Sequence, residues 1–479
     1  MAPGERFLHH RQHHGRLLIS SPQGHSGKTV VTIGLCRALK RKDLIVQSFK
    51  KGPDYIDPSW LTAATGTSCR NLDFFLIPKD KLLDSFYRAC YEADLSVIEG
   101  AMGLYDGLDS VEYGSTAQVA RLLNSPILLV VNTTRMTGSV AAMVTGYQHF
   151  EPNTPVAGVI LNHVSGVRHE TKLKMSVEQH CGIPVVGSIP RDPDLHISER
   201  HLGLVPSLET GESEATIDRI GRKMEAYLDL DKILSIASTV TSPFPLGERG
   251  EVRENQVRVA KIGVLLDQAF HFYYPENFEA LTRAGAELIF INSFKDRLPE
   301  IDGLYIGGGF PEFFLQALEA NLPLKRDIAE GVEGGLPIYA ECAGLMYLCQ
   351  SISWKDRAYK MVGLIPAEVK LSENPRGHGY VIAEVVEENP YFPVGMTLRG
   401  HEFHHSGLNP FHDLSCVYRI KRGEGIVSKR DGIVYKNLFA SYVHLHALGT
   451  PEWAEGFVSL ASRRRRPATP VFSSDEPNE

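Results

Sequence analysis

Apolar runs and amphipathic segments alternate along two stretches of the chain. In the first stretch the apolar runs predict six strands, at residues 17–20, 44–49, 95–99, 127–132, 156–161 and 185–189. Most of these runs are continuously apolar, which is typical of parallel strands that are covered on both faces. The segments between them have helical spacing. The pattern therefore predicts an α/β domain with a doubly wound sheet over residues 16–232.

A second α/β pattern follows, and we expect its domain to span residues 258–462, with strands predicted at 259–266, 287–291, 303–306 and 337–340. Residues 233–257 mix Ser, Thr, Pro, Gly and charged residues without a sustained period, which predicts an interdomain linker. We expect the His-rich arm 1–15 and the Arg-, Pro- and Ser-rich tail 463–479 to be disordered. Metal binding by the four clustered histidines is the alternative for the arm.

Composition narrows the class of protein. A length of 479 residues favours two or three domains, and 43% hydrophobic with 22% charged residues is typical of a globular protein. The net charge of −7 provides no basic field for nucleic acid, and no apolar run approaches the ~18 residues that would cross a membrane. Seven cysteines without Cys-x-x-Cys spacing argue against a zinc site or a disulfide framework. We expect a cytoplasmic monomer or homodimer with no nucleic-acid or membrane partner.

The stretch 21–29 (SPQGHSGKT) lies between the first predicted strand and a segment with helical spacing. This is the context of a phosphate-binding loop, whose backbone N–H groups and helix N-terminus face an anion. Lys28 would reach the outer phosphates of a nucleotide, and the Thr29 hydroxyl would ligate Mg²⁺. The spacing is imperfect, because Pro22 stands where the first glycine of this motif is expected. A chance match is the alternative. The candidate nucleotide-binding residues here are Gly24, Ser26, Gly27, Lys28 and Thr29.

Acidic residues follow two further predicted strands. Asp54 and Asp57 stand three residues apart in a loop with Gly and Pro, and Glu99 ends the apolar run 95–99. Ligands of open α/β sheets bind at the carboxyl ends of the strands, so Asp54 and Glu99 are candidates to hold Mg²⁺, directly or through water. Two acidic turns without a ligand are the alternative.

The segment 338–347 (IYAECAGLMY) places Cys342 between a strand and a helix, among small residues. This is the context of a nucleophile elbow, where the helix N-terminus is expected to lower the pKa of the cysteine. A buried structural cysteine is the alternative. Gly308 and Gly309 of the loop 307–312 (GGGFPE), together with Ala343, are candidates for an oxyanion hole, unless the loop is a plain glycine turn. Periodicity does not choose a base among five histidines, which are His401, His404, His405, His444 and His446.

Taken together, the motifs resemble the cobyrinic acid a,c-diamide synthase family of glutamine-dependent, ATP-driven amidoligases. The first half is similar to dethiobiotin synthetase, and the second half is similar to class I glutamine amidotransferases that lack the usual triad glutamate. The stretches that carry the resemblance are 24–29 (GHSGKT), 51–58 (KGPDYIDP), 99–107 (EGAMGLYDG), 190–192 (PRD), 199–204 (ERHLGL), 307–312 (GGGFPE), 340–344 (AECAG), 400–404 (GHEFH) and 442–446 (YVHLH).

In the second half, the resemblance implies that Cys342 attacks the side-chain amide of glutamine and releases ammonia. His444 matches the activating histidine of the family, and His446 stands where the common triad carries glutamate. In the first half, ATP would phosphorylate a peripheral carboxylate of a tetrapyrrole polycarboxylate, and ammonia would displace the phosphate to leave a carboxamide.

The resemblance also assigns residues around the nucleotide. Asp54, Asp57 and Glu99 match functional acidic positions of the family, and Asp57 with Tyr55 is expected to act on the substrate or intermediate. Asn162 stands where relatives often bind the nucleotide base. Sirohydrochlorin or its metal complexes are alternative substrates to cobyrinic acid. A nucleotide switch with a partner-binding second domain and a biotin-pathway carboxylase are alternatives from other classes.

Overall fold

The computed structural model describes residues 14–108, 113–200, 203–239 and 259–464. These residues form two compact units, which divide between residues 250 and 251. Within the described residues, no helix is long and apolar enough to cross a membrane.

Unit 1 contains a seven-stranded parallel sheet with the strand order β3-β2-β4-β1-β5-β6-β7. The strands of unit 1, including a short hairpin β8–β9, are β1 (Gly15–Ser20), β2 (Val46–Lys51), β3 (Arg70–Leu72), β4 (Leu95–Glu99), β5 (Ile127–Asn132), β6 (Val156–Val164), β7 (Val185–Pro190), β8 (Glu199–Arg200) and β9 (Gly203–Leu204). The helices are α1 (Lys28–Lys40), α2 (Ile56–Thr65), α3 (Lys79–Ala89), α4 (Thr116–Leu122), α5 (Ser139–His149), α6 (Val167–Cys181), α7 (Ser213–Tyr227) and α8 (Leu230–Ala237).

Close packing of α1 against α7 fixes the helix that follows the phosphate-binding loop. A Cβ atom on Gly34 would lie 2.3 Å from Met224 Cγ, and one on Gly221 would lie 2.6 Å from Arg37 Cγ. Glycine at these positions lets the two helices approach to a distance that any side chain would prevent. The N-terminus of α1 is thereby held over the end of β1.

The predicted strands of unit 1 agree closely with the observed ones, but its predicted borders differ. The linker prediction, 233–257, begins inside α8, where Ile233 and Ala237 are buried in the core. The arm prediction, 1–15, includes His14, which is buried and whose Nε2 lies 2.6 Å from Ser96 Oγ. Residues 1–13, 240–258 and 465–479 lie outside the described residues.

Unit 2 contains a ten-stranded sheet with the order β11-β10-β12-β13-β22-β21-β20-β17-β18-β23 and a four-stranded sheet with the order β15-β14-β16-β19. Strands β11 to β22 of the large sheet pair in parallel, and the pairs from β22 to β23 are antiparallel. The strands are β10 (Ala260–Leu265), β11 (Ala286–Ile291), β12 (Gly303–Ile306), β13 (Ile338–Glu341), β14 (Cys349–Trp354), β15 (Arg357–Lys360), β16 (Ile365–Leu371), β17 (Gly377–Val385), β18 (Thr397–His404), β19 (Ser406–Pro410), β20 (Cys416–Arg422), β21 (Arg430–Tyr435), β22 (Leu438–Ser441) and β23 (His444–Leu445). The helices are α9 (Pro275–Arg283), α10 (Leu315–Ala320), α11 (Leu322–Glu333), α12 (Ala343–Leu348) and α13 (Glu452–Arg464).

Candidate functional site

The phosphate-binding loop joins β1 to α1 in the predicted manner. Gly27 caps α1 in the left-handed conformation with φ 87°, and a Cβ atom there would lie 2.4 Å from Asn162 Nδ2. Both observations require glycine at this position. The space beside Gly24 is open, because no atom lies within 4 Å of the position of a Cβ atom. Ser26 donates its hydroxyl to the Gln23 carbonyl at 2.9 Å and so closes the loop on itself.

Asn162 holds this loop from below. Its Nδ2 donates to the Ser26 carbonyl at 2.9 Å, its Oδ1 accepts from the backbone N–H of His163, and the side chain is 5% exposed. Both polar atoms of the side chain are therefore used within the protein. This geometry gives the residue a role in supporting the loop, and a contact between Asn162 and the nucleotide base stays a prediction.

Five side chains from three segments converge behind the loop. Lys50 Nζ lies 2.5 Å from Asp57 Oδ2, 2.9 Å from Glu99 Oε1 and 3.7 Å from Asp54 Oδ2. Thr29 donates its hydroxyl to Glu99 Oε1 at 2.6 Å and lies 3.4 Å from Asp57 Oδ2. The structure thus brings together the predicted residues Thr29, Asp54, Asp57 and Glu99. It also adds Lys50, to which sequence reasoning gave no role.

The loop between β2 and α2 presents these acids. Asp54 Oδ1 accepts hydrogen bonds from the backbone N–H groups of Ile56 at 2.9 Å and Asp57 at 3.1 Å. Asn71 of β3 donates to the carbonyls of Gly52 and Asp54, which ties the loop to the sheet edge. One oxygen of Asp54 therefore builds the loop and the other faces the lysine. Half-buried Tyr55 lies at the N-terminus of α2.

Electrostatics in this cluster follow from burial. Burial raises the pKa of the fully buried Glu99, and burial together with the charge of Asp57 raises the pKa of Asp54 to about 7. Burial opposes the charge of Lys50, but Asp57 and Glu99 outweigh it and hold the lysine pKa well above its ordinary value. Lys28, which is 8% exposed, has a pKa that burial lowers. A polyanion beside Lys28 would compensate for the buried charge of that lysine, whereas three carboxylates already compensate for the charge of Lys50.

The oxygen donors behind the loop fit Mg²⁺. Glu99 Oε2 is buried and has no hydrogen-bond partner among the described residues, and hydroxyl and carboxylate oxygens are the ligands that this ion prefers. Among the described residues, no group of three or more His, Cys, Asp or Glu side chains is placed to hold a metal by itself. An ion at Thr29 and Glu99 would therefore take its remaining ligands from phosphate or water, as Mg²⁺ commonly does.

Cys342 lies at a sharp turn between β13 and α12. Its backbone has φ 48° and ψ −101°, and its N–H donates to the Ser441 carbonyl at 2.8 Å. Gly344 packs against β12, where a Cβ atom would lie 2.4 Å from the Ile306 carbonyl oxygen. A strained conformation at a non-glycine residue, supported by small neighbours, is typical of a nucleophile elbow.

The pKa of the Cys342 thiol is raised, whereas the sequence predicted that the helix N-terminus would lower it. The side chain is 4% exposed, and burial raises the pKa of the Cys342 thiol well above its ordinary value. The six-residue helix α12 does not offset that burial. The thiol is thus protonated in this structure, and its activation requires a base.

Among the five candidate histidines, His444 lies against the glycine loop. A Cβ atom on Gly308 would lie 2.5 Å from His444 Cε1 and 3.2 Å from its Nε2, and the Gly344 N–H donates to the Gly307 carbonyl at 3.0 Å. His444, this loop and the helix behind Cys342 are therefore neighbours. Gly309 has φ 155° and lies in the same loop, and Ala343 directly follows the cysteine.

The other histidines have different surroundings. His401 stacks on His444 with ring centroids 4.9 Å apart, and His446 Nε2 lies 3.6 Å from Glu276 Oε2. The His404 ring stacks on Tyr442 at 3.7 Å, and His405 Nδ1 lies 3.1 Å from the Glu373 carbonyl oxygen.

A further buried carboxylate, that of Glu341, lies beside His444, with Glu341 Oε2 3.5 Å from His444 Nδ1. Sequence reasoning missed Glu341, although this residue directly precedes the cysteine.

Family models match both units. Residues 17–205 match a CobQ/CobB/MinD/ParA nucleotide binding domain, and residues 261–452 match a CobB/CobQ-like glutamine amidotransferase domain. These matches confirm the predicted combination of a phosphate-binding α/β domain with an amidotransferase α/β domain.

Similar proteins extend over most of the chain. A cobyrinate a,c-diamide synthase from Magnetococcus marinus is 42% identical over 92% of this chain and 95% of its own length. Proteins of the same name from Methanosarcina barkeri and Archaeoglobus fulgidus are 40% and 39% identical, each over 94% of this chain and over 96% and 98% of their own lengths. The chain therefore belongs to the cobyrinate a,c-diamide synthase family.

Proposed function

We propose that this protein catalyses the ATP- and glutamine-dependent amidation of the a and c acetate carboxylates of a tetrapyrrole, cobyrinic acid or a close relative. The observation that carries the proposal is the presence, in one chain, of a phosphate-binding loop backed by Lys50, Asp57 and Glu99 and of an elbow cysteine whose helix is hydrogen-bonded to the glycine loop that His444 faces. Relatives at about 40% identity that carry the name cobyrinate a,c-diamide synthase support the substrate class.

In unit 2, Cys342 Sγ attacks the carboxamide carbon of glutamine. His444 takes the thiol proton and gives it to the departing nitrogen, so that ammonia leaves and a thioester remains. The N–H groups of the Gly308–Gly309 loop and of Ala343 stabilise the oxyanion. Water then hydrolyses the thioester to glutamate and restores the thiol.

In unit 1, a carboxylate oxygen of the tetrapyrrole attacks the γ-phosphorus of ATP, and ADP leaves. Ammonia then attacks the acyl carbon, and the bond to phosphate breaks to give the carboxamide. Lys28 and Lys50 offset negative charge on the transferred phosphoryl group, and Asp57 and Tyr55 orient the substrate. Thr29, Asp54 and Glu99 would hold Mg²⁺, which neutralises phosphate charge when it is bound.

The identity of the macrocycle is the most specific part of the proposal. Amidation of sirohydrochlorin or a metal sirohydrochlorin would use the same two sites, so the described geometry supports these substrates and cobyrinic acid equally. The names of the relatives favour cobyrinic acid.

The test is incubation of the full chain with ATP, Mg²⁺, glutamine and a panel of tetrapyrroles, followed by mass spectrometry. Each conversion replaces OH by NH₂ and lowers the mass by one fixed step, and we expect two steps with cobyrinic acid. Steps with sirohydrochlorin alone would move the substrate assignment, and no step with any tetrapyrrole would refute the substrate class.

A cysteine variant separates the proposal from a nucleotide switch without amidotransferase activity. We expect Cys342→Ala to lower glutamate release from glutamine by about 10³-fold or more, as expected for loss of a nucleophile. Cys349→Ala is the matched control, because Cys349 is fully buried and its thiol donates to the Leu345 carbonyl within α12 and β14. Equal glutamate release from wild type and Cys342→Ala would rule out the amidotransferase assignment.

A further inference from the structure

The orientation of the His444 ring determines which neighbour each of its two nitrogens faces. The Nε2–Cε1 edge faces Gly308, and Nδ1 faces Glu341 Oε2 at 3.5 Å. Both side chains are 1% exposed. A carboxylate beside one ring nitrogen favours the tautomer in which that nitrogen carries the proton and the other is the basic one, which is the arrangement that orients the base of a catalytic triad.

Glu341 is itself held by hydrogen bonds from two strands, β12 and β23. Its Oε1 accepts a hydrogen bond from the backbone N–H of Leu445 at 3.1 Å, and its Oε2 accepts one from the Tyr305 hydroxyl at 3.1 Å. Asn277 Nδ2 donates to the Leu445 carbonyl at 3.0 Å from the other side. Strand β23, which carries His444, is therefore docked onto the carboxylate of β13.

The position that carries glutamate in the common triad is occupied differently. His446 stands there, and its Nε2 lies 3.6 Å from Glu276 Oε2 while its Nδ1 accepts from the Leu448 N–H at 3.2 Å. His446 and Glu276 thus form a separate buried pair. His401 stacks on His444, but burial holds the His401 pKa well below its ordinary value, so this ring stays neutral. Tyr305 is neutral too, because burial raises its pKa well above the ordinary value.

We infer that Glu341 is the third member of the triad in unit 2: it orients His444 and stabilises the imidazolium that forms when Cys342 gives up its proton. The inference rests on the proposed function, because it assumes that Cys342 and His444 hydrolyse glutamine. Glu341 is a positioning residue, and it lies one residue before the nucleophile rather than two residues after the histidine.

The test is Glu341→Gln in the full chain, read by glutamate release. The Leu445 N–H keeps the amide oxygen as its acceptor, which turns the amide NH₂ toward His444 Nδ1 and favours the tautomer with the proton on Nε2. We expect kcat to fall by about 10²-fold or more with KM changed less than about threefold. The acidic limb of the pH profile is expected to move to lower pH, because the charge that stabilised the imidazolium is lost. Glu341→Asp is expected to restore part of kcat.

Glu276→Gln is the matched control, a buried carboxylate beside a neighbouring histidine, and we expect its glutamate release to stay within threefold of wild type. The inference is wrong if Glu341→Gln keeps its kcat and pH profile, or if Glu276→Gln shows the larger loss. The inference is also wrong if both Glu341→Gln and Glu341→Asp fail to fold. It is wrong too if both variants lose amidation activity when ammonia replaces glutamine, since either result marks a structural role. Failure of the wild type to amidate any tetrapyrrole would refute the proposed substrate and leave the glutamate-release comparison valid.

Discussion

At the scale of single residues, Lys50 lies at the centre of a cluster of charged side chains in unit 1. The residue is 4% exposed, and its ammonium group contacts three carboxylates, of Asp54, Asp57 and Glu99. Buried charges persist in proteins when they are paired, and removal of one partner leaves the others uncompensated. The charge of Lys50 therefore offsets part of the negative charge of these carboxylates, which would otherwise repel a polyphosphate.

We expect Lys50→Met to lower ATP-dependent amidation by about 10²-fold and to raise the KM for ATP, because the remaining carboxylates repel the nucleotide. Glutamine hydrolysis in unit 2 should change little. Steady-state rates with varied ATP measure the effect, with Lys42→Met as a control at an exposed lysine paired with Asp231. Amidation within threefold of wild type would contradict the role given to Lys50.

His14 makes a second prediction at this scale, about stability. Burial, and then the positive charge of Arg16, lower the His14 pKa from 6.5 to about 4. Between these two pH values, the unfolded chain binds a proton at His14 and the folded chain does not. Stability that is present above pH 6.5 is therefore lost as the pH falls toward 4. The full loss is about 3 kcal/mol.

The measurement is urea unfolding of wild type and His14→Gln at pH 7 and at pH 4.5. The stability advantage of wild type over the variant should shrink by about 2 to 3 kcal/mol between the two conditions. His180→Gln is the control at an exposed histidine of α6, where no such change is expected. An advantage that is independent of pH would show that His14 titrates alike in both states.

At the residue scale, sequence could predict the acidic positions but not their partners. Asp57 and Glu99 were predictable because each follows an apolar strand, where parallel sheets bind ligands. Lys50 was missed because β2 extends to Lys51, two residues beyond the apolar run, and so the lysine belongs to the strand rather than to the loop. Glu341 was missed because its contact with Leu445 joins residues 104 positions apart, which no local pattern encodes.

At the scale of elements, the elbow depends on how closely α12 approaches β12. The Gly344 N–H donates to the Gly307 carbonyl, and the Ile306 carbonyl oxygen occupies the space that a side chain would need. A methyl group here cannot be accommodated by moving a flexible side chain, because the nearest atom is the backbone oxygen of Ile306. The helix would have to move away from the strand and take Cys342 with it.

We expect Gly344→Ala to destabilise unit 2 by about 2 kcal/mol or more and to lower glutamate release by more than tenfold. Gly407→Ala is the matched control, because no atom lies within 4 Å of a Cβ atom at that position in β19, and its stability should change by less than about 0.5 kcal/mol. Thermal unfolding together with glutamate release measures both effects. Normal activity in Gly344→Ala would show that the elbow tolerates displacement.

The same scale explains which elements sequence could predict. Most parallel strands of both units are buried on both faces, and a run such as Ile127–Asn132 is recognisable from its apolar residues alone. The antiparallel strands of unit 2 are half-exposed and carry polar residues, as in Gly377–Val385, where buried and exposed positions alternate. Helix α8 was mistaken for the start of a linker, because only eight residues with Ser and Ala carry its apolar face.

At the scale of the whole molecule, the proposed function places both a source and a consumer of ammonia in one chain. In this proposal, unit 2 produces one ammonia for each glutamine, and unit 1 uses one for each carboxylate that it amidates. Free ammonia is the nucleophile and ammonium is not, so the yield depends on whether nitrogen reaches the acyl carbon before it binds a proton. Added ammonia should therefore replace the ammonia that unit 2 supplies, and the amidation rate should then depend on pH.

We expect Cys342→Ala to amidate the tetrapyrrole with ammonium chloride at a rate that rises with pH, because the fraction of unprotonated ammonia rises. Wild type with glutamine should show a weaker pH dependence over the same range, since each ammonia is released by the protein itself. Mass spectrometry of the product at matched ATP and Mg²⁺ concentrations measures both rates, with Cys349→Ala driven by glutamine as the control. If Cys342→Ala makes no product with ammonium chloride at any pH, then unit 1 cannot use free ammonia and the division of labour between the two units is wrong.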